Sequence, residues 1–263
     1  MGRRPRNYDN GGIYHIIQRG HNRLFIFKEK LDKAAFLDIV RETLKQMPCN
    51  ILYYVLMDNH YHLVIEMLSV PLHRIMQRIN VTYSKYYNNR YNCSGTVYGQ
   101  RYRAFSVLHT PNLFKLILYI FNNPVKAGIV KNPQNYRWCA HLEVLNRRIP
   151  IVARERLFEL LGSSRDEGAA AYKNLIKGRL GKTSQAPTDS AFNNELRSET
   201  LDMLFEEFLD GKVSAEYIRS ASRDVKIVEI RRSFIHLAID KGYSADEISK
   251  VLHMTSRSVR GAR

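Results

Sequence analysis

Along the first 150 positions the apolar residues change spacing several times, and each change predicts an element. GIYHIIQR (12–19) is rich in β-forming residues and reads as a first strand. DKAAFLDIVRETLKQM (32–47) places Ala35, Phe36, Ile39, Val40, Thr43 and Leu44 along one helical face. NILYYVLM (50–57) and the run from His60 to Met67 read as two strands joined at the sharp DNH junction, hence as a hairpin. VPLHRIMQRINVTYSKYYNNRY (70–91) is a helix with Pro71 near its start and Leu72, Ile75, Met76, Ile79 and Tyr83 on one side. CSGTVYG (93–99) is a loop, and QRYRAFSVL (100–108) a fourth, strongly basic strand. NLFKLILYIFNN (112–123) is an apolar helix that Pro124 should end, since the residue before a proline avoids the helical region.

The order β-α-β-β-α-β followed by a helix predicts an α+β fold, a ferredoxin-like antiparallel sheet with one added helix. Two helices then cover one face of the sheet and leave the other for a further helix or a ligand. Side chains alternate along a strand with period two, so His60 and His62 project together, close enough to share one metal ion. An isolated H-x-H is more simply a polar pair on a half-exposed strand. Tyr61, Leu63 and Ile65 point at the core helices in this arrangement, and His60, His62 and Val64 point the other way, beneath helix 112–123.

Beyond residue 150 the pattern becomes helical and more polar. IVARERLFELLG and GAAAYKNLIKG give short helices over 151–177, and the Gly/Ser/Thr/Pro-rich run 178–192 reads as a linker. The region 193–263 is mostly helical. Within it, residues 228–263 form three pieces: the first stops at Gly242, Ser244 and Glu247 make a capping box for the second, and Thr255 or Ser256 caps the third. Ile248, Val251, Leu252 and Val259 follow the apolar spacing of a helix-turn-helix unit, which puts Arg257 and Arg260 on its reading helix. The chain is therefore divided into a main domain over 1–150, a helical extension over 151–177, the linker, and the C-terminal region.

Charge narrows the class of partner. Residues 1–150 carry 22 Lys and Arg against 8 Asp and Glu, whereas residues 151–263 carry 19 against 17. The basic half calls for a polyanion, with nucleic acid ahead of a membrane surface because no long apolar segment or basic amphipathic anchor stands out. Arg101 and Arg103, with Tyr102 between them, combine phosphate neutralisation with a ring on which a base can stack, which suits a single strand. Arg3, Arg4 and Arg6 form a basic arm, and Arg19 and Arg23 flank a polar turn after the first strand. The three cysteines form neither a metal nor a disulfide pattern, and the basic start lacks an apolar signal region, so a cytoplasmic location is expected.

Several stretches in order, GRRPRNY, YHIIQRGHNRLFIF (14–27), LMDNHYHLVIE (56–66), SGTVYGQRYRAFSV (94–107), YIFNNPVKAGIV (119–130) and NYRW (135–138), resemble the single-tyrosine transposases of the HUH class, especially the REP-associated branch and its insertion-sequence relatives. The likeness spans roughly residues 3–165. It implies a metal-dependent enzyme that cuts and rejoins single-stranded DNA near imperfect hairpins through a covalent phosphotyrosine. His60 and His62 fall on the two histidines of the motif, Tyr119 on the nucleophile and Asn123 on the third metal ligand. Asp58 stands where the family commonly has proline, and Phe121 where histidine is frequent. Tyr119 and Asn123 are four residues apart and so share a helical face. Two imidazoles, an amide oxygen and no cysteine point to Mg²⁺ or Mn²⁺. The expected partners are hairpin-bearing single-stranded DNA, a double-stranded DNA contact by the C-terminal region and no membrane, for a monomer or homodimer. A non-catalytic or domesticated nucleic-acid-binding regulator is the alternative. Tyr86 and Tyr87 are the rival nucleophiles, on a helix expected to pack on the opposite face of the sheet.

Overall fold

A computed structural model describes residues 11–107, 110–145, 151–177, 189–211, 213–220 and 224–262. The chain divides into two compact units, Asn7–Ala186 and Pro187–Arg263.

The first unit is built on strands β1 (Ile13–Arg19), β2 (Cys49–Leu56), β3 (His60–Met67) and β4 (Arg103–Val107), in the order β2-β3-β1-β4 with all neighbours antiparallel. Together with α1 (Lys30–Gln46) and α2 (Leu72–Arg90), this is the expected ferredoxin-like sheet. The β2–β3 link is a two-residue turn, Asp58-Asn59, closed by the Met57 amide on the His60 carbonyl at 2.9 Å. Ile16, Tyr61, Leu63 and Ile65 pack beneath α1 and α2, whose Phe36, Ile75, Met76, Ile79 and Tyr83 are buried against them. Phe36 is the hub, with ring centroids 4.6 Å from Tyr61 and 5.3 Å from both Phe27 and Tyr83.

Helix α1 starts at Lys30, where Glu29 and Asp32 form a capping box absent from the sequence reading. Asp32 is fully buried and saturated: it accepts from the Lys28 and Glu29 amides and from the hydroxyls of Tyr86 and Tyr91. A buried carboxylate survives only when its oxygens are paired in this way.

The opposite face carries α3 (Thr110–Lys126), α4 (His141–Leu145), α5 (Arg154–Leu161) and α6 (Arg165–Lys177). Two expectations need correction here. Helix α3 runs through Pro124 rather than stopping before it. The proline falls in the last turn, where few backbone bonds remain to be lost, and the helix closes three residues later. There the Ala127 amide donates to the Asn123 carbonyl at 3.0 Å, the Ile129 amide to Pro124 at 2.9 Å, and Gly128 takes φ +70°. Strand β4 begins at Arg103 instead of residue 100, because the Gln18 side chain takes the Gln100 carbonyl at 2.9 Å and draws residues 100–102 off the ladder. Leu108, the expected last residue of that strand, lies outside the described residues.

Residues 151–177, expected as an extension beyond a domain ending at 150, belong to the same compact unit. Val152 bridges Ile51 at the free edge of β2, and the same edge receives Cys139, which bridges Val55. Covering an open strand edge removes a template for unwanted pairing. Tyr172 of α6 shares a 3.2 Å hydrogen bond with Tyr53, and its hydroxyl lies 2.8 Å from His141 Nδ1. The Arg156 guanidinium grips Glu66 through Nε (3.0 Å) and Nη2 (2.8 Å).

The second unit contains α7 (Asp189–Leu209), α8 (Ala215–Arg219), α9 (Val225–Asp240), α10 (Ala245–Val251) and α11 (Ser256–Gly261) around Phe205, Phe234, Ile235, Ile248, Leu252 and Val259. The Ser244–Glu247 capping box and the Thr255 cap form as expected, and Gly242 takes φ +85° after α9. Positions 189–192, the expected end of the linker, are already helical; residues 178–188 lie outside the described residues. The composition is consistent with this, since Asp189 and Ser190 favour a helix start.

Phe36→Ala should destabilise the first unit by about 3–5 kcal/mol, the usual range for removing a large core aromatic. Urea unfolding of this variant followed by tyrosine fluorescence checks it, with an unshifted midpoint contradicting the assigned hub.

Candidate active site

Strand register decides which side chains meet under α3. In β1–β3 pairing His62 lies opposite Ile17, His60 opposite Arg19, and Val64 opposite His15. Directly opposed residues share a face, so His15, Arg19, His60 and His62 project together. Pairing of β4 with β1 brings Arg103, opposite Ile17, and Phe105, opposite His15, to the same side.

Helix α3 lies across this face and is tightly held by Leu113, Leu116, Ile117 and Ile120, all buried. It places the Tyr119 ring 6.0 Å from His62 and 6.5 Å from His15, centroid to centroid. His60 and His62 are themselves 5.0 Å apart, edge to face. One turn on from Tyr119, Asn123 is buried and donates through Nδ2 to the Tyr119 carbonyl at 3.2 Å, which leaves its Oδ1 as an acceptor. Lys126, a further turn along, holds Nζ 5.4 Å from the Tyr119 ring centroid. A cation there favours negative charge on the phenol oxygen.

Both histidines are oriented through Nδ1. That of His60 donates to the Asn59 side-chain oxygen at 2.6 Å, which leaves Nε2 with its lone pair. That of His62 lies 2.9 Å from His15 Nε2. The Nε2 of His62 is buried with no hydrogen-bond partner. Burial above all, then the neighbouring His60, His15, Arg19 and Lys126, pushes His62 well below the ordinary imidazole pKa, so it stays neutral. Two buried imidazoles whose Nε2 atoms have no hydrogen-bond partner, under a helix that carries an amide side chain, fit a divalent cation. Among the described residues no group of three or more His, Cys, Asp or Glu side chains is placed to hold a metal ion. Glu66, on the same face, is committed to Arg156 and to Asn50 at 2.7 Å.

The two departures from the resembled family have plain physical settings. Asp58 pairs with Lys33 of α1 at 2.6 Å, and Lys33 also donates to Tyr136 at 3.1 Å. Its carboxylate is thus directed to the α1 side of the sheet. Phe121 is buried with its ring 4.9 Å from His141, an apolar contact with the α4–α6 layer.

Residues 10–123 match the family model of IS200-like transposases. Similar solved structures include a REP-associated tyrosine transposase bound to a REP hairpin, at 20% identity over 57% of this chain and 90% of that one, TM-score 0.46. Another is a protein assigned as a transposase from Deinococcus radiodurans R1, at 15% identity over 46% of this chain and 97% of that one, TM-score 0.33. No curated protein matches the chain.

The first unit brings His60, His62 and Tyr119 together under α3, with Asn123 one turn on from Tyr119 and with Arg19 and Arg103 in strands on that face. Arg103 and Arg101 are exposed, Tyr102 half-buried, and Arg23 exposed in the turn after β1. That turn is pinned beside the histidines: the Gly20 amide donates to Asn59 O at 2.9 Å, and the Ile26 and Phe27 amides donate to Asp58 O. Gly20 has no room for a side chain, since an added Cβ would sit 2.2 Å from Leu24 O. Arg3, Arg4 and Arg6 lie outside the described residues. Arg257 is exposed on α11, and Arg260 reaches Asp246 at 3.3 Å. Tyr86 and Tyr87 sit on α2, Tyr86 bonded to Asp32 and Tyr87 to the Phe25 carbonyl, across the sheet from the histidines. The residues missed by sequence reading are His15 and Lys126, the latter one lysine among many in a basic half; His15 is the more telling. Its only signal was a polar side chain in the middle of an apolar strand. No helix among the described residues is long and apolar enough to cross a membrane.

His62 and His141 are both shifted down by burial, whereas in the unfolded chain each titrates near 6.5. Below that value the unfolded state binds protons that the fold refuses. Their contribution is therefore fully present above 6.5 and is lost as pH falls through 6.5 towards the folded values. With chelator present, the denaturant midpoint should drop between pH 8 and pH 5.5, and drop less in His141→Gln. A flat wild-type profile would contradict the two buried neutral rings.

Proposed function

We propose that the domain cleaves and rejoins single-stranded DNA at hairpin-containing sites, with Tyr119 as nucleophile and His60, His62 and Asn123 as ligands of Mg²⁺ or Mn²⁺. The observation that carries this reading is the convergence of His60, His62 and Tyr119 beneath α3, within the residues that match the family model of IS200-like transposases. The cation, when bound, polarises a non-bridging phosphate oxygen and steadies the departing ester oxygen. Tyr119 Oη attacks phosphorus, a phosphotyrosine bond forms as one P–O ester bond breaks, and the phenol proton passes to solvent. Rejoining reverses these events when a DNA hydroxyl attacks the phosphotyrosine. Lys126 supports the charge that develops on Oη.

Arg19, Arg23, Arg101 and Arg103 neutralise the strand's phosphates, Tyr102 offers a ring on which a base can stack, and the basic run Arg3, Arg4 and Arg6 adds charge for further phosphates. In the second unit, α10 and α11 suit a helix-turn-helix contact with double-stranded DNA, with exposed Arg257 and Arg260 towards the phosphates. A hairpin as substrate is consistent with the DNA bound by the REP-associated transposase noted above.

Incubation with labelled hairpin-bearing single strands and Mn²⁺ should give a covalent protein–DNA adduct that maps to Tyr119. Tyr119→Phe should keep the fold and DNA binding and lose the adduct, because only the attacking oxygen is removed. His60→Ala and His62→Ala should abolish cleavage, and Asn123→Ala should reduce it less, since water replaces a neutral oxygen ligand more readily than an imidazole. An adduct persisting in Tyr119→Phe and mapping to Tyr86 or Tyr87 would overturn the assignment.

A further inference from the structure

His15 occupies the middle of β1 with no exposure to solvent, between residues that would be served equally well by an apolar side chain. An imidazole buried there costs free energy unless its nitrogens are engaged. Its ring lies edge to edge with His62, centroids 5.2 Å apart and planes inclined by only 16°, and its Nε2 lies 2.9 Å from His62 Nδ1. Phe105 and Tyr119 flank it at 6.1 and 6.5 Å.

The two facing nitrogens share one proton along this contact, and its position decides what His62 presents to the site. If His15 Nε2–H donates, His62 carries its own proton on Nε2 and offers no lone pair. If His62 Nδ1–H donates, His62 Nε2 is a lone-pair donor. The second arrangement reproduces what Asn59 does for His60, whose Nδ1 can only donate to the amide oxygen 2.6 Å away.

We propose that His15 is a positioning residue for His62: by accepting the Nδ1 proton of His62, it fixes ring and tautomer so that the buried His62 Nε2 faces a divalent cation as a ligand. This rests on the reading of His60 and His62 as metal ligands. The two histidines are then supported differently, His60 by a neighbour in its own turn and His62 by an adjacent strand. The β1–β3 register becomes part of the metal site rather than only of the core.

The test uses the full chain without DNA and Mn²⁺ alone as probe, by isothermal titration. His15→Phe keeps a planar ring on β1 but removes the acceptor, and should weaken Mn²⁺ binding roughly 10- to 100-fold, the usual loss for an outer-shell partner of a ligating histidine. His15→Gln, which retains an acceptor oxygen, should recover part of it. Nitrogen-15 spectra of the Mg²⁺-loaded wild type should place the His62 proton on Nδ1. Affinity in His15→Phe equal to wild type, while His62→Ala loses binding, would overturn the positioning role alone. Undiminished binding in His62→Ala would remove the metal reading and this proposal with it. Should His15→Phe fail to fold, a His62 proton found on Nε2 in the Mg²⁺-loaded wild type overturns the proposal by itself.

Discussion

Period-two alternation along β3 governs most of this molecule. Tyr61, Leu63 and Ile65 go to one side and build a core with α1 and α2, while His60, His62 and Val64 go to the other, beneath α3. A one-residue slip would exchange the two sets and bury the histidines against Phe36. Register is held against such a slip from both flanks: β1 and β2 each pair with β3 along most of its length, and the Asp58-Asn59 turn allows little slack. Lys33 and Tyr136 lock the same turn from the α1 side, Lys33 through Asp58 and Tyr136 through its 2.6 Å bond to the Leu56 carbonyl.

The chemistry depends on that placement through desolvation. Two imidazoles on an exposed strand would titrate near neutrality and compete for protons. Beneath α3, burial and the nearby His60, His15, Arg19 and Lys126 hold His62 neutral, so one of its ring nitrogens keeps a lone pair. The same Lys126 sits 5.4 Å from the centroid of the Tyr119 ring. In the proposed reading a basic surface serves two ends, holding a polyanion and keeping a ligand unprotonated. The acidic residue nearest in register, Glu66, is withheld by Arg156, which joins α5 to the sheet.

Much of this was legible in the sequence, for identifiable reasons. Strand and helix periods were clean in the first 130 residues, and the H-x-H spacing with Tyr119 and Asn123 one turn apart gave the face. Misreadings arose where a tertiary contact overrode a local rule. Pro124 lies within α3 because it falls in the final turn, and residues 100–102 leave β4 because Gln18 captures a carbonyl. Residues 151–177 read as an appendage because their apolar positions are sparse, yet Val152, Arg156 and Tyr172 each find a specific partner on the sheet. His15 was invisible as a site residue because its significance lies in pairing with a strand 47 residues away, and no spacing within β1 encodes it.

The central claim is that one face of the sheet, closed by α3, is a divalent-metal site facing Tyr119. Diffraction from crystals soaked in Mn²⁺, recorded for anomalous scattering, tests it most directly. The expected result is a single strong peak within bonding distance of the Nε2 atoms of His60 and His62, on the Tyr119 side. A peak elsewhere on the chain with none at the histidine pair, at Mn²⁺ concentrations that support cleavage, would contradict it.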